Sequence, residues 1–295
     1  MNIPRATRTL CMALFALLCA SGALHAQEEI GKKGGGPVDI EWATLESKNY
    51  FIKYESVIAG GVVKEIKDAL EEILAQYTAI FKFTPKEKFK VKFLNNMRSY
   101  EDQGGDPSHP GYFNPGSGYL VIREMEFYHL IPTVYHEAFH QYLQAYLPKG
   151  TEIPTWFNEG LAMYYEGIQR NKQTKQLDPK LIDYRKIIGT RDAIMTRTAI
   201  PLEKLIDATH NDFHHKENED LHYSQSFGFV YFLMQGMGGK PVMQYAAELK
   251  KSTDKTSVPA VALANEKIFG KGRKNMKAIE RRWKEYVLGL KLEEK

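Results

Sequence analysis

Cysteine is nearly absent from this 295-residue sequence, and its two cysteines, Cys11 and Cys19, both lie within the first 26 residues. Those residues have the features of an export signal, so we expect the processed chain to contain no thiol. Disulfide bonds, thiolate catalysis and cysteine-bound metals are thereby excluded. Any metal ion must be held by nitrogen and oxygen ligands.

An excess of one charge and long apolar segments are also lacking. The formal net charge is +4, and it falls to +2 when Arg5 and Arg8 leave with the export signal. A nearly neutral chain gives no electrostatic reason to expect a nucleic-acid partner. Beyond the first 26 residues, no apolar stretch is long enough to cross a bilayer. We therefore expect no stable membrane insertion after signal cleavage.

Residues 1–26 have the pattern of a cleavable signal peptide. Two arginines precede an apolar run from Leu10 to Leu18, which is too short to span a bilayer comfortably. Small residues follow this run, and cleavage is expected after Ala23 or after Ala26. The alternative is an uncleaved anchor. The pattern predicts an exported protein, either periplasmic or secreted.

Beyond the signal, a polar and glycine-rich leader covers residues 27–38, and residues 39–295 are predicted to form one domain with lobes of about 39–150 and 151–295. Alternating apolar residues predict strands over 50–54, 89–94 and 119–122, with a loop at 104–118. Helical spacing and breaker residues predict helices over 62–81, from Pro132 to 147, over 154–166, 224–235 and 276–288. Strands and one helix followed mostly by helices predict an α+β fold.

The segment His-Glu-Ala-Phe-His at residues 136–140 carries the clearest chemical signal. Residues four apart on a helix lie on one face, so His136 and His140 can bind the same zinc ion. Glu137 is then placed to take a proton from the attacking water. Because a surface helix can carry this pattern by chance, the motif alone is only moderately specific.

Glu159 is the candidate for a third ligand. A catalytic zinc ion takes three protein ligands and keeps one position open. Glu159 lies 19 residues after His140 on the next predicted helix, and a short Pro/Gly turn can fold the two helices back on each other. Gly160 removes a side chain where these helices approach. The pattern predicts one zinc ion per chain, held by His136, His140 and Glu159; the alternative for Glu159 is a solvated helix acid.

Together, the segments HEAFH and WFNEGLAMYYE resemble the gluzincin, or peptidase MA-like, zinc metallopeptidases, and especially an uncharacterised family of small bacterial gluzincins. The match is strong over residues 132–167 and looser over 50–54 and 223–233. The resemblance implies a zincin-like α+β fold, in which a small mixed sheet and the metal-binding helix precede a mostly helical lobe. It also implies that Glu137 is the general base and then the proton donor, with a peptide or protein as substrate.

The chain departs from the family pattern at two places. It lacks the Gly-Ala-Met-Glu-Asn stretch that anchors a free amine in the aminopeptidases, so aminopeptidase specificity is not implied. Met163 occupies the position where thermolysin-like enzymes have an acid that orients a histidine. Here the group that orients a metal-binding histidine has to be Asn158, Glu166 or a backbone carbonyl.

The resemblance, together with the positions of the residues, implies several supporting roles. Residues 119–122 are expected to form an edge strand that binds the substrate backbone, although an ordinary hairpin strand fits the sequence equally well. Tyr223 is the candidate donor to the oxyanion and His222 the second choice, with a core tyrosine as the alternative. The remaining histidines are interpreted as a solvated loop (His210, His214, His215) and as structural residues (His109, His129).

The predicted function is that of a zinc-dependent metallopeptidase. The alternatives are a zinc hydrolase that acts on a non-peptide bond, or a zinc-binding scaffold protein without turnover. Glu137 argues against the scaffold, because a purely structural zinc site needs no base and has its fourth position filled. The sequence carries no signal for the oligomeric state.

Overall fold

A computed structural model describes residues 40–182, 185–213, 215, 217–252 and 257–291. The predicted signal peptide with its cleavage sites, the leader and His214 lie outside these described residues. The chain from Ile40 onward belongs to one compact unit. Within the described residues, no helix is both long and apolar enough to cross a membrane.

The N-terminal part contains a mixed sheet whose strands run in the order β1-β2-β3-β5-β4. Strands β2, β3 and β5 are mutually parallel, and the outer strands β1 and β4 are antiparallel to their neighbours. The strands are β1 (Trp42–Glu46), β2 (Tyr50–Glu55), β3 (Phe89–Leu94), β4 (Gly111–Asn114) and β5 (Tyr119–Arg123). The α+β class and the three strands expected from the sequence are confirmed.

Two expectations about this sheet are wrong. Strand β4 lies inside the 104–118 segment, which was expected to be a loop throughout. Strand β5 pairs with β3 on one side and β4 on the other, so β4 and not residues 119–122 forms the edge. The physical reason is that pairing with β5 keeps β4 extended. The glycines and prolines on both sides of β4 are typical of a loop, so the local sequence does not predict the strand.

The two faces of the sheet are covered differently. Helix α1 (Gly60–Phe81) packs one face with a continuous apolar stripe, and its bounds agree with the predicted helix. The short helix α2 (Met97–Asp102) covers the other face, where Leu94, Tyr100 and Val121 form a small separate cluster. The face under α1 is therefore buried, whereas the other face is covered only in part, since Lys90 on β3 is exposed and Lys53 and Lys92 are partly exposed.

Helix α3 (Phe127–Tyr146) carries both candidate histidines. It begins five residues before Pro132, so the expectation that Pro132 opens the helix is wrong. Proline in the second turn removes one backbone hydrogen bond, which the rest of this 20-residue helix tolerates. The buried back of α3 packs against aromatic rings of α1, and the hydroxyl of Tyr77 donates to the carbonyl of Tyr135 at 2.6 Å.

Helix α4 (Thr155–Glu166) follows α3 after a short turn in which Gly150 has a φ of 84°, and it packs against α3. Strands β6 (Ile168–Arg170) and β7 (Leu177–Ile182) then form a separate antiparallel hairpin, which was not predicted. The hairpin leads the chain into helix α5 (Arg185–Thr196).

The remaining described chain is mostly helical, as expected for the C-terminal lobe. Helix α8 (Glu219–Tyr231) packs against α4 and α5 and continues as a π-helical segment over Phe232–Gly236, so the predicted helix at 224–235 starts earlier than expected. The other helices are α6 (Leu202–Asp207), α7 (His210–Phe213), α9 (Lys240–Leu249), α10 (Ser257–Phe269), a 3-10 turn (Lys271–Arg273) and α11 (Met276–Gly289).

Candidate metal centre

The side chains of His136, His140 and Glu159 converge at the contact between α3 and α4. One carboxylate oxygen of Glu159, Oε2, lies 3.5 Å from Nε2 of His136 and 3.6 Å from Nε2 of His140. The candidate ligand atoms of the three residues all lie within 4.8 Å of one another. These three residues can therefore hold a metal ion with nitrogen and oxygen ligands.

Both imidazole rings are oriented through their other nitrogen. Nδ1 of His136 lies 3.0 Å from Oε2 of Glu166, and Nδ1 of His140 lies 3.0 Å from Oδ1 of Asn158. Each oxygen accepts a hydrogen bond, so each Nδ1 carries the proton and each Nε2 is left for the cation. Of the three supports considered from the sequence, Asn158 and Glu166 therefore both serve, one for each histidine.

Carboxylates control the protonation of His136. Burial alone would lower the pKa of His136, but the hydrogen bonds to Glu159 and Glu166 outweigh burial and raise this pKa to about 10. A metal ion that binds at Nε2 must therefore displace a proton. Metal affinity at this site should consequently depend on pH.

Glu166 has a cation on its other side. Its Oε1 lies 2.6 Å from Nζ of Lys186, which is the second residue of α5. Burial would raise the pKa of Glu166, but the hydrogen bonds and charges of His136 and Lys186 lower it to about 2. Glu166 is therefore ionised at neutral pH and holds one donor on each oxygen.

Glu137 lines the same cleft, which has a volume of about 870 Å³. Edge strand β4 lies directly beside Glu137. A Cβ built on Gly111 would be 3.2 Å from Cγ of Glu137 and 3.2 Å from Cγ2 of Thr133. Gly111 thus permits a close approach between β4 and α3. The outer side of β4 has no partner strand among the described residues, so it offers backbone groups at the cleft.

Tyr223 also lines the cleft, close to the N-terminus of α8. Burial raises its pKa, and the charges of Glu159, Glu219 and Glu137 raise it further, so its hydroxyl stays protonated and can donate. His222 is buried instead, with its ring against Phe213 and Nδ1 at 3.1 Å from the carbonyl oxygen of Asn218. The geometry therefore favours Tyr223 over His222 as a donor to a bound molecule.

The cleft has lining residues that the sequence did not single out. His109, to which a structural role was assigned, lies on the cleft wall, and so does His210 from the segment interpreted as a solvated loop. Lys186 was also missed, because only the fold brings α5 next to α4. The sequence could have indicated the place of His109 only through its position two residues before β4, and that strand was not predicted.

Gly160 allows a close helix contact, but not the one expected. A Cβ on Gly160 would lie 2.7 Å from the carbonyl oxygen of Ser226 and 2.7 Å from Cγ2 of Val230, both on α8. The close approach is therefore between α4 and α8, not between the two helices that carry the metal ligands. Glu159 is the residue before Gly160, so the position of this candidate ligand depends on how α4 packs against α8.

Comparison with known proteins shows similarity to a family model over part of the chain. A family model described as "Protein of unknown function (DUF1570)" matches residues 130–256. The matched stretch contains all three candidate ligands, Glu137 and Tyr223. No curated protein matches the chain.

Proposed function

We propose that the chain is a zinc-dependent metallopeptidase of the gluzincin type, which hydrolyses peptide bonds with activated water and uses Glu137 as general base. One observation carries this proposal: the ligand atoms of His136, His140 and Glu159 converge in a cleft that Glu137 also lines. A purely structural metal site has all positions filled and needs no base. The open cleft and the neighbouring carboxylate therefore favour a catalytic role.

The two carboxylate-to-imidazole distances fit a tetrahedral metal site, and zinc, one ion per chain, is the proposed metal. Zinc binds imidazole nitrogen and carboxylate oxygen at about 2.0–2.2 Å in a tetrahedral arrangement, which sets neighbouring ligand atoms about 3.3–3.6 Å apart. Oε2 of Glu159 lies 3.5 and 3.6 Å from the two Nε2 atoms. Histidines that bind zinc usually donate a hydrogen bond from their other ring nitrogen, and the Nδ1 hydrogen bonds described above fit this pattern.

When bound, a zinc ion polarises the substrate carbonyl and lowers the pKa of a water molecule. Glu137 takes the proton of the attacking water and then delivers it to the leaving amine. Tyr223 donates a hydrogen bond to the carbonyl oxygen, where negative charge develops. The outer edge of β4 can pair with an extended peptide backbone beside Glu137.

We also propose that this activity operates outside the cytoplasm, in the periplasm or as a secreted enzyme. The support is the signal pattern of residues 1–26 and the lack of thiols in the chain that follows. A peptide or protein is the proposed substrate. Detection of the mature protein in the periplasmic or culture fraction, with an N-terminus at residue 24 or 27, would test the location.

The decisive experiment compares wild type with Glu137→Gln. We expect purified wild type to contain about one zinc ion per chain and to cleave a peptide library, with products identified by mass spectrometry. Glu137→Gln should keep the zinc and lose cleavage, because the amide cannot accept the proton. Glu152→Gln is the matched control, since Glu152 is an exposed acid that does not line the cleft.

Other outcomes would contradict the proposal. Zinc binding with no hydrolysis of any peptide or unfolded protein would favour the scaffold, and turnover of esters or other non-peptide bonds alone would favour a different hydrolase. Peptide cleavage by Glu137→Gln at the wild-type rate would refute the role of Glu137.

A further inference from the structure

Lys186 and Glu166 form an ion pair that reaches the candidate metal centre from a separate helix. Glu166 is the last residue of α4, whereas Lys186 lies on α5, beyond the β6–β7 hairpin. The Nζ to Oε1 distance is 2.6 Å, and each side chain is 25% exposed, so the pair is partly shielded from solvent. On its other oxygen, Glu166 accepts the Nδ1 hydrogen bond of His136 at 3.0 Å.

The helix that carries Lys186 packs closely against α8. Its helix α5 is locked to α8 by the buried Thr190, whose Oγ1 donates to the carbonyl oxygen of Ser224 at 2.6 Å. A Cβ on Gly189 would lie 2.7 Å from Oγ of Ser224, and one on Gly228 would lie 2.8 Å from Oγ1 of Thr190, so the two helices are in close contact. Lys186 therefore extends from a helix that is hydrogen-bonded to α8 and in close contact with it.

We propose that Lys186 is a positioning residue of the metal centre, whose ammonium holds the carboxylate of Glu166 in the orientation that anchors Nδ1 of His136. Without this ammonium, one oxygen of a partly buried carboxylate has no cation, and its side chain is free to rotate away from the imidazole. The same lysine joins α4, which carries Glu159, to α5, and α5 is locked to α8 beside Tyr223.

This inference rests on the metal-binding part of the proposed function and does not require hydrolysis. The main readout is therefore the Nδ1–H signal of His136, observed by NMR in zinc-loaded protein labelled with ¹⁵N-histidine and identified by its loss in His136→Asn. We expect a strongly downfield, slowly exchanging proton in wild type. In Lys186→Met this proton should shift upfield and exchange faster with solvent, and Lys186→Arg should restore it.

A double mutant separates positioning from direct contact with substrate. Lys186→Met should also change the visible spectrum of the cobalt-substituted protein. In a Glu166→Gln background this change should vanish, because the lysine acts through Glu166. If peptide cleavage is present, Lys186→Met should lower kcat by about tenfold, the low end of the range for outer-shell partners, with KM little changed. A rise in KM alone, undiminished by Glu166→Gln, would show that Lys186 contacts substrate and would overturn the proposal.

The matched control is Lys284→Met. Lys284 forms an ion pair with Glu280 at the same distance of 2.6 Å and with similar exposure of 33% and 19%, but on α11. Lys284→Met should leave the His136 signal and the cobalt spectrum unchanged, and both variants should unfold at similar temperatures. An unchanged His136 signal in Lys186→Met would overturn the inference, as would a wild-type chain that binds no zinc. Zinc binding without peptide cleavage would count only against the proposed function.

Discussion

Replacing Gly160 with alanine tests whether the contact between α4 and α8 sets the position of Glu159. The new Cβ would lie 2.7 Å from the carbonyl oxygen of Ser226, about 0.7 Å closer than the 3.4 Å at which ordinary van der Waals contact begins. A backbone oxygen inside a packed helix cannot swing aside. The two helices must therefore separate, or α4 must rotate.

The magnitude follows from two opposing effects. Overpacking of this kind costs about 1–3 kcal/mol of unfolding free energy, while alanine in place of glycine inside a helix contributes up to about 1 kcal/mol in favour of the fold. Gly61 is the control that isolates the clash, because it also lies in a helix, α1, and a Cβ there meets no atom within 4 Å. Gly160→Ala should thus be less stable than Gly61→Ala by about 1–3 kcal/mol.

The larger effect is expected at the metal centre. Zinc sites tolerate deviations of about 0.2 Å in ligand distances, so a shift of several tenths of an ångström at Glu159 should weaken zinc binding by about tenfold or more, the size of effect that loss of outer support produces. Urea denaturation gives the stability difference, and competition with a chromophoric chelator gives the zinc affinity. Zinc affinity equal to that of Gly61→Ala would refute the idea that α8 positions this ligand.

Two further predictions concern Tyr223 and pH. Tyr223→Phe should lower kcat by about 10²–10³, as expected for loss of an oxyanion donor, while zinc content stays at one per chain; unchanged turnover would remove Tyr223 from the mechanism. In chelator-treated protein, His136 stabilises the fold below its ordinary pKa of 6.5 and loses this contribution as pH rises towards 10, whereas Glu166 contributes above 4.5 and loses its contribution as pH falls towards 2. Zinc must displace the His136 proton, so the difference in Tm between zinc-loaded and chelator-treated protein should grow from pH 6 to pH 9; a constant difference would show that no such proton is displaced.

Local sequence was enough to predict the parts of the fold that have strong periodicity. The apolar stripe of α1 and the alternation in β3 predicted their elements almost to the residue. Strand β4 escaped because its four residues sit between glycine, proline and serine, and only pairing with β5 makes them extended. Pro132 misled for a related reason, since the packing of α3 against α1 outweighs the hydrogen bond that proline removes.

The candidate site shows the same limit. His136 and His140 lie one helical turn apart, so their spacing alone places their side chains together, and the match to a known motif added Glu159. Asn158 and Glu166 could be suggested because they lie on the same helix as Glu159. Lys186 could not, because its place beside Glu166 depends on the hairpin that returns the chain and on the locking of α5 to α8.

The aromatic packing behind α3 has a consequence for how this molecule can be divided. The family match covers residues 130–256 and so leaves out α1, whose rings at Tyr77 and Phe81 cover the buried side of Phe139 and Tyr142. A fragment limited to the matched stretch would keep every candidate ligand but would expose this apolar, aromatic side of α3 to water. The matched stretch therefore lacks part of the packing that supports α3, and a fragment that keeps this packing has to include α1.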